Sequence, residues 1–178
     1  MDISEFTGQT LINAYNEGRR DFTGVQLRGV HLHNAHLHQI ILTGANLSDA
    51  DLGGAWLYEA NFEGAILDRA HLGVAHNKMV DPNLDDYDMA LGCTYLGKAN
   101  FQNASLVEAH LFKADLRDAN LSHANLSHAF LMESYLVGAT FEETNLTGAN
   151  LTSASVRMPD LQKADLTNAI LDDLKLYD

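Results

Sequence analysis

The stretch ADLRDANLSHANLSHAF, Ala114 to Phe130, decides the fold: a leucine falls on every fifth residue (Leu116, Leu121, Leu126), with an alanine two residues before each. The beat of Leu or Phe extends outward from there. It runs from Leu96 to Leu176, with only Val156 departing, and again from Phe22 to Leu72, giving 28 units in two phased blocks. An α-helix turns about 100° per residue, so a five-residue period would spiral the leucines around it without making a stripe. A strand keeps a beat residue i and its i−2 neighbour on one face. The remaining three-residue step needs a corner, and positions i+1 and i+2 supply corner residues such as Gly24, Gly44, Asn34 and Asp49. Each pentapeptide therefore reads as a very short extended segment plus a turn. Stacked coils of such units bury a column of Leu, Phe and Ala that one repeat could not bury alone.

The triplets Ala-Asn-Leu (45–47, 119–121, 124–126, 149–151) and Ala-Asp-Leu (50–52, 114–116, 164–166) resemble the A(D/N)LXX consensus of the pentapeptide-repeat family. The lead-in Tyr15, Gly18, Asp21, Phe22 is most similar to cyanobacterial members. The resemblance implies an all-β fold, a right-handed quadrilateral parallel β-helix with four repeats per coil and a short N-terminal capping helix. Residues twenty apart should then stack. The rule predicts one inner column of Phe101, Leu121, Phe141 and Leu161, and a second of Phe22, Leu42 and Phe62, with phenylalanines alternating with smaller side chains. Outside the core it predicts polar ladders of Asn100, Asn120, Thr140 and Asp160, and of Ser105, Asn125, Asn145 and Asp165. At about 4.8 Å per coil the rod should measure roughly 35 to 40 Å.

One solenoid domain is expected over residues 1–178: a cap helix at 4–20, a first repeat block at 21–73, an interruption at 74–95 and a second block at 96–178. In the cap, Ser4 reads as N-cap, Leu11, Ile12 and Tyr15 share a face, and Gly18 is a stop. Leu72 and Leu96 stand 24 residues apart, so the phase slips by one. Either one coil carries a four-residue insertion or five repeats lose a residue, the second placing Phe101 above the Phe22, Leu42, Phe62 column; a projecting loop at about Val74 to Ala90 is the preferred reading. The chain ends within the repeat, which invites pairing of the last coil with a second copy. The acidic start shows no signal peptide, no apolar run approaches a membrane span, and the single Cys93 fits a reducing compartment, so cytoplasm is expected.

With 11 Lys and Arg against 24 Asp and Glu, the chain carries −13. That excludes direct nucleic-acid and anionic-membrane binding as leading functions. The family resemblance does bring one nucleic-acid-related alternative, an acidic DNA mimic that binds or inhibits a type II topoisomerase (gyrase). It requires the acids to gather on one side of the rod. No nucleophile triad, phosphate loop or carboxylate pair stands out, and no cofactor is implied. His31, His33, His36 and His38 are weak candidates for metal ligands because imidazoles flanking one inward leucine share a side of the strand. With no cysteine beside them, they read as an outward ladder in which His31, Asp51 and His71 stack. His123 and His128 read as surface partners of Glu143 and Glu108. Outward apolar residues mark the candidate contact surface: Trp56, Tyr58, Phe112, Phe130 and Met132, with Ile41 expected near Trp56. The expected function is a non-enzymatic scaffold for an unidentified protein partner.

Overall fold

The computed structural model describes residues 6–74 and 92–178. Each repeat closes a turn in which the residue three beyond the beat donates its N–H to the beat carbonyl, as Ala104 does to Phe101 at 2.9 Å and Ala124 to Leu121 at 3.0 Å. The third residue of the regular turns has a left-handed backbone, for example Gly24 (φ 70°), Asn34 (57°) and Asp49 (61°). Gly, Asn and Asp accept that conformation most easily, which is why they recur there. Coils join through parallel bridges between i−1 residues twenty apart, such as Asp21 to Ile41 and Asn100 to Asn120. In each unit the beat N–H bonds to one neighbouring coil and the i−1 N–H to the other: Leu121 donates to Thr140 and Asn120 to Ala99. The four sides are numbered in chain order, face 1 holding Phe22, face 2 Leu27, face 3 Leu32 and face 4 Leu37.

Across the interruption the bridges step by 39 residues, linking Trp56 to Tyr95, Asn61 to Asn100, Ile66 to Ser105 and His71 to His110. Nineteen residues beyond the usual twenty are thus passed without advancing the stack, and Leu96 takes the place next after Leu72. Neither expected count of repeats is correct, but the placement expected of five repeats short by one residue holds: Phe101 stands above the column of Phe22, Leu42 and Phe62. The two expected core columns are one: Phe22, Leu42, Phe62, Phe101, Leu121, Phe141 and Leu161, all at most 1% exposed. Phenylalanines do not alternate throughout, because Phe62 and Phe101 lie face to face, 4.9 Å between centroids and 4° between planes. The expected loop lies, after Val74, outside the described residues. The face 4 ladder, His36, Trp56, Tyr95, Asp115, Tyr135, Ser155 and Lys175, has seven rungs, or about 34 Å of rod.

At the interrupted corner Thr94 replaces the usual alanine. Its buried hydroxyl accepts from the Gly54 N–H at 2.9 Å and lies 2.7 Å from the Gly73 carbonyl and 3.1 Å from that of Leu52, either of which it can donate to. Thr144 and Ser134 replace alanine elsewhere and likewise donate to backbone carbonyls, of Leu121 and Leu131, both at 2.7 Å. A buried hydroxyl is costly only when unpaired, so these substitutions are tolerated.

Helix α1 spans Gly8–Asn16 and is capped by a reciprocal Thr7–Thr10 box. It starts later than expected, and Ser4 lies outside the described residues. Leu11 is fully buried, Ile12 and Tyr15 pack against the core, and the Tyr15 hydroxyl donates to the His38 carbonyl at 2.9 Å. Gly8 sits so close to coil 1 that a Cβ there would strike the His31 carbonyl oxygen. Near the other end, β1 (Ser155–Val156) pairs with β2 (Lys175–Leu176), and the unit between departs from the repeat as a helical turn, α2 (Met158–Leu161), with Pro159 in its first turn. The turn keeps Leu161 in the core but removes Asp160 from the expected ladder; its carboxylate lies 3.9 Å from Arg157. The other ladder, Ser105, Asn125, Asn145 and Asp165, forms as expected.

Candidate interaction surface

Faces 1 and 2 are built largely of small amides and hydroxyls bonded to one another. On face 1 the Asn100 amide donates to Asn61, Asn120 to Asn100, and the Thr140 hydroxyl to Asn120, at 3.2, 3.1 and 2.9 Å. The same oxygens accept the N–H two residues on, as from Gln102 and Ser122, so each amide closes its own corner and ties to the next coil. On face 2, Asp49 receives Arg28 at 3.1 Å and Arg69 at 2.7 Å. The Arg69 hydrogen bond is the main cause holding the Asp49 carboxyl below its ordinary value.

Faces 3 and 4 differ. On face 4, His36 stacks on Trp56 at 4.6 Å and 14°, His38 meets the same indole edge-on at 5.7 Å, and Tyr95 lies 5.2 Å above it. Tyr58 covers Gly97, where a Cβ would come within 3.2 Å of the ring, and the Lys98 ammonium stands 5.4 Å from the Tyr58 centroid. Arg117 grips Asp115 through two bonds of 2.8 and 2.7 Å, and that carboxylate holds the guanidinium above its ordinary pKa. On face 3, His71, His110 and Phe130 stack in sequence, with Phe112 and Met132 on successive coils at the i+1 position. The structure therefore brings Phe112, Phe130 and Met132 together, and Trp56 with Tyr58. Ile41 does not join them: it begins face 1, between Asp21 and Asn61, because the corner turns between positions 39 and 41.

The histidine run splits over two faces, which sequence spacing alone does not show. His31 bridges Asp51, which bridges His71, as the stacking rule expects. The His33 imidazole is 3.7 Å from Asp51, while His36 and His38 turn to Trp56. Among the described residues no three His, Cys, Asp or Glu side chains converge as a metal site. His123 pairs with Glu143 at 3.2 Å. Cys93 is buried beside Thr94. Carboxylates of the regular coils are spread four to a face: Asp21, Glu63, Glu142 and Glu143; Asp49, Asp68, Glu108 and Asp165; Asp51, Glu133, Asp172 and Asp173; Glu59, Asp115, Asp118 and Asp178; Glu17 follows α1 and Asp160 lies in α2. The described residues thus form no single acidic side.

Such a four-sided stack of five-residue turns defines a class of structural repeat protein. Pentapeptide repeats, eight copies, match residues 21–57, 45–75, 94–131, 114–152 and 134–173, and the chain belongs to that family, whose members adopt a right-handed quadrilateral β-helix. No curated protein matches it in sequence. Among solved structures it is similar to HetL, a pentapeptide repeat protein involved in heterocyst differentiation regulation in the cyanobacterium Nostoc, with 23% identity over 96% of this chain and 95% of that one and a TM-score of 0.43. A pentapeptide repeat protein from the Arabidopsis thaliana thylakoid lumen shares 23% identity over 81% and 74%, TM-score 0.39. QnrB1, a plasmid-mediated fluoroquinolone resistance protein, shares 18% over 98% and 80%, TM-score 0.37.

Proposed function

We propose that the chain is a non-enzymatic cytoplasmic scaffold that holds a protein partner against faces 3 and 4. One observation carries the reading. Of the eight exposed large apolar side chains among the described residues, seven (Trp56, Tyr58, Phe112, Phe130, Ile170, Leu176 and Tyr177) lie on those two faces, and only Ile66 lies elsewhere. Aromatic side chains held rigid by stacking lose little entropy on contact and concentrate binding energy. The exposed Leu176 and Tyr177 of the last coil also support a homodimer through that coil. Photo-crosslinking residues placed at positions 56 and 112 should yield protein adducts in source-cell extract, while controls at Ser127 and Thr147 on face 2 yield none. Equal labelling from all four positions would contradict the proposal. The alternative, an acidic mimic of DNA acting on gyrase, draws on the −13 charge. Inhibition of supercoiling beyond that of an acidic control protein would favour it.

A further inference from the structure

We infer that mild acidification turns faces 3 and 4 of the first four coils into a seat for the acidic faces 1 and 2 of a second copy of this chain. Six of the nine histidines lie there: His31, His33, His36, His38, His71 and His110. They share the surface with Asp51, Glu59, Asp115 and Asp118 and with Lys98, Lys113 and Arg117. Four negative and three positive charges leave −1 when the imidazoles are neutral and +5 when all six are charged. Faces 1 and 2 of the same coils carry Asp21, Asp49, Glu63, Asp68 and Glu108 against Arg28 and Arg69, hence −3, with no histidine. The two sides of the rod start with nearly equal charge and part only as pH falls.

Local contacts are uneven. The His33 imidazole lies 3.7 Å from the Asp51 carboxylate, His36 stacks on the Trp56 face at 4.6 Å, the side of an aromatic ring that attracts a cation, His31 and His71 flank Asp51 in the backbone ladder, and the His71 Nδ1 accepts the Gly73 N–H at 3.3 Å. His110 stacks on Phe130 at 4.8 Å and faces His71 across 6.5 Å. Glu59 takes the Gln39 amide, Asp115 is held by Arg117, and Lys113 meets Glu133 at 3.3 Å. Beside coil 1, Glu17, Arg19 and Arg20 follow α1 and sum to +1. The residues between Val74 and Gly92, outside those described, add His76, Lys78, Asp81, Asp85, Asp86 and Asp88. Histidine is the side chain that changes charge between pH 5 and 8. At physiological salt the screening length is about 8 Å, so a local face rather than the −13 of the whole chain governs what docks.

Sedimentation velocity on the purified chain tests this without any partner. Between about pH 7.5 and about pH 5.8, still above the pI of 4.9, the weight-average mass should rise from 19.5 kDa to twofold or more as concentration increases, since each docked copy still offers a free seat, and fall back in high salt. The variant H31Q/H33Q/H36Q/H38Q, checked for native circular dichroism, should stay at its pH 7.5 mass, and the single substitution His33→Gln should show a partial loss. Glu63→Gln with Glu108→Gln should weaken pairing from the other side. A wild-type mass that ignores pH, or a histidine variant that associates like wild type, would overturn the inference. So would loss of pairing in D81N/D85N/D86N/D88N, which would make that segment the acidic partner. A pH-independent dimer reports only on the last coil and leaves the crosslinking test of the scaffold reading untouched.

Discussion

Faces 1 and 2 and faces 3 and 4 share one core but present different exteriors. Inward, all four bury the same Leu, Phe and Ala at near-zero exposure. Outward, the first pair carries mutually bonded amides and hydroxyls, and the second carries stacked rings with apolar edges open to solvent. The repeat sets what is inside and leaves i−1 and i+1 free, so function is written in positions that the fold does not constrain.

The largest effect should come from the core common to both pairs. Phe62→Ala or Phe101→Ala should each cost about 3–5 kcal/mol in urea unfolding, and the double variant should cost less than the sum because the rings contact one another. Strict additivity would break the single-column register. Next comes the corner between faces 3 and 4: Thr94→Val removes the hydroxyl's bonds and leaves the Gly54 N–H only the Gly73 carbonyl at 3.2 Å, which should cost about 1–3 kcal/mol. Thr144→Val should cost less, since the Leu121 carbonyl keeps its bond from Ala124. Smaller still, Asn120→Ala on face 1 should cost about 1 kcal/mol. Phe112→Ser on face 3 should change stability by no more than about 0.5 kcal/mol while removing the crosslink from the adjoining surface. If Phe112→Ser destabilised more than Asn120→Ala, the contrast between a bonded wall and an open one would fail. Least of all, Glu108→Asn should gain up to about 1 kcal/mol, because Glu108 holds a left-handed backbone at φ 57° that Asn accepts more readily.

The beat, the inward alanines and the Asn ladders were legible because a five-residue period has one physical solution. The register past the interruption was legible only as one of two alternatives, the one that set Phe101 on the Phe62 column. A gap of 24 residues accommodates several combinations of repeats and insertions, and the Phe62–Phe101 stack runs against the alternation seen on either side. Asp160 was misplaced because Leu161 keeps the beat while Pro159 turns the backbone into a helix. The division of His31 to His38 between Asp51 and Trp56 depends on which side of a corner each falls, and that emerges only from stacking. Thr94 carried a signal that could have been used: a hydroxyl at an alanine position two before a beat marks a corner whose backbone needs an extra partner.

The most direct test is deletion of residues 75–93, which joins Val74 to Thr94 and restores an unbroken five-residue step from Leu72 to Leu96. Cooperative urea unfolding with a midpoint close to wild type is predicted, since Phe101 already rests on Phe62 and His110 on His71. Loss of cooperative unfolding would contradict the register, and with it the gathering of Trp56, Tyr58, Phe112 and Phe130 around one corner of the rod.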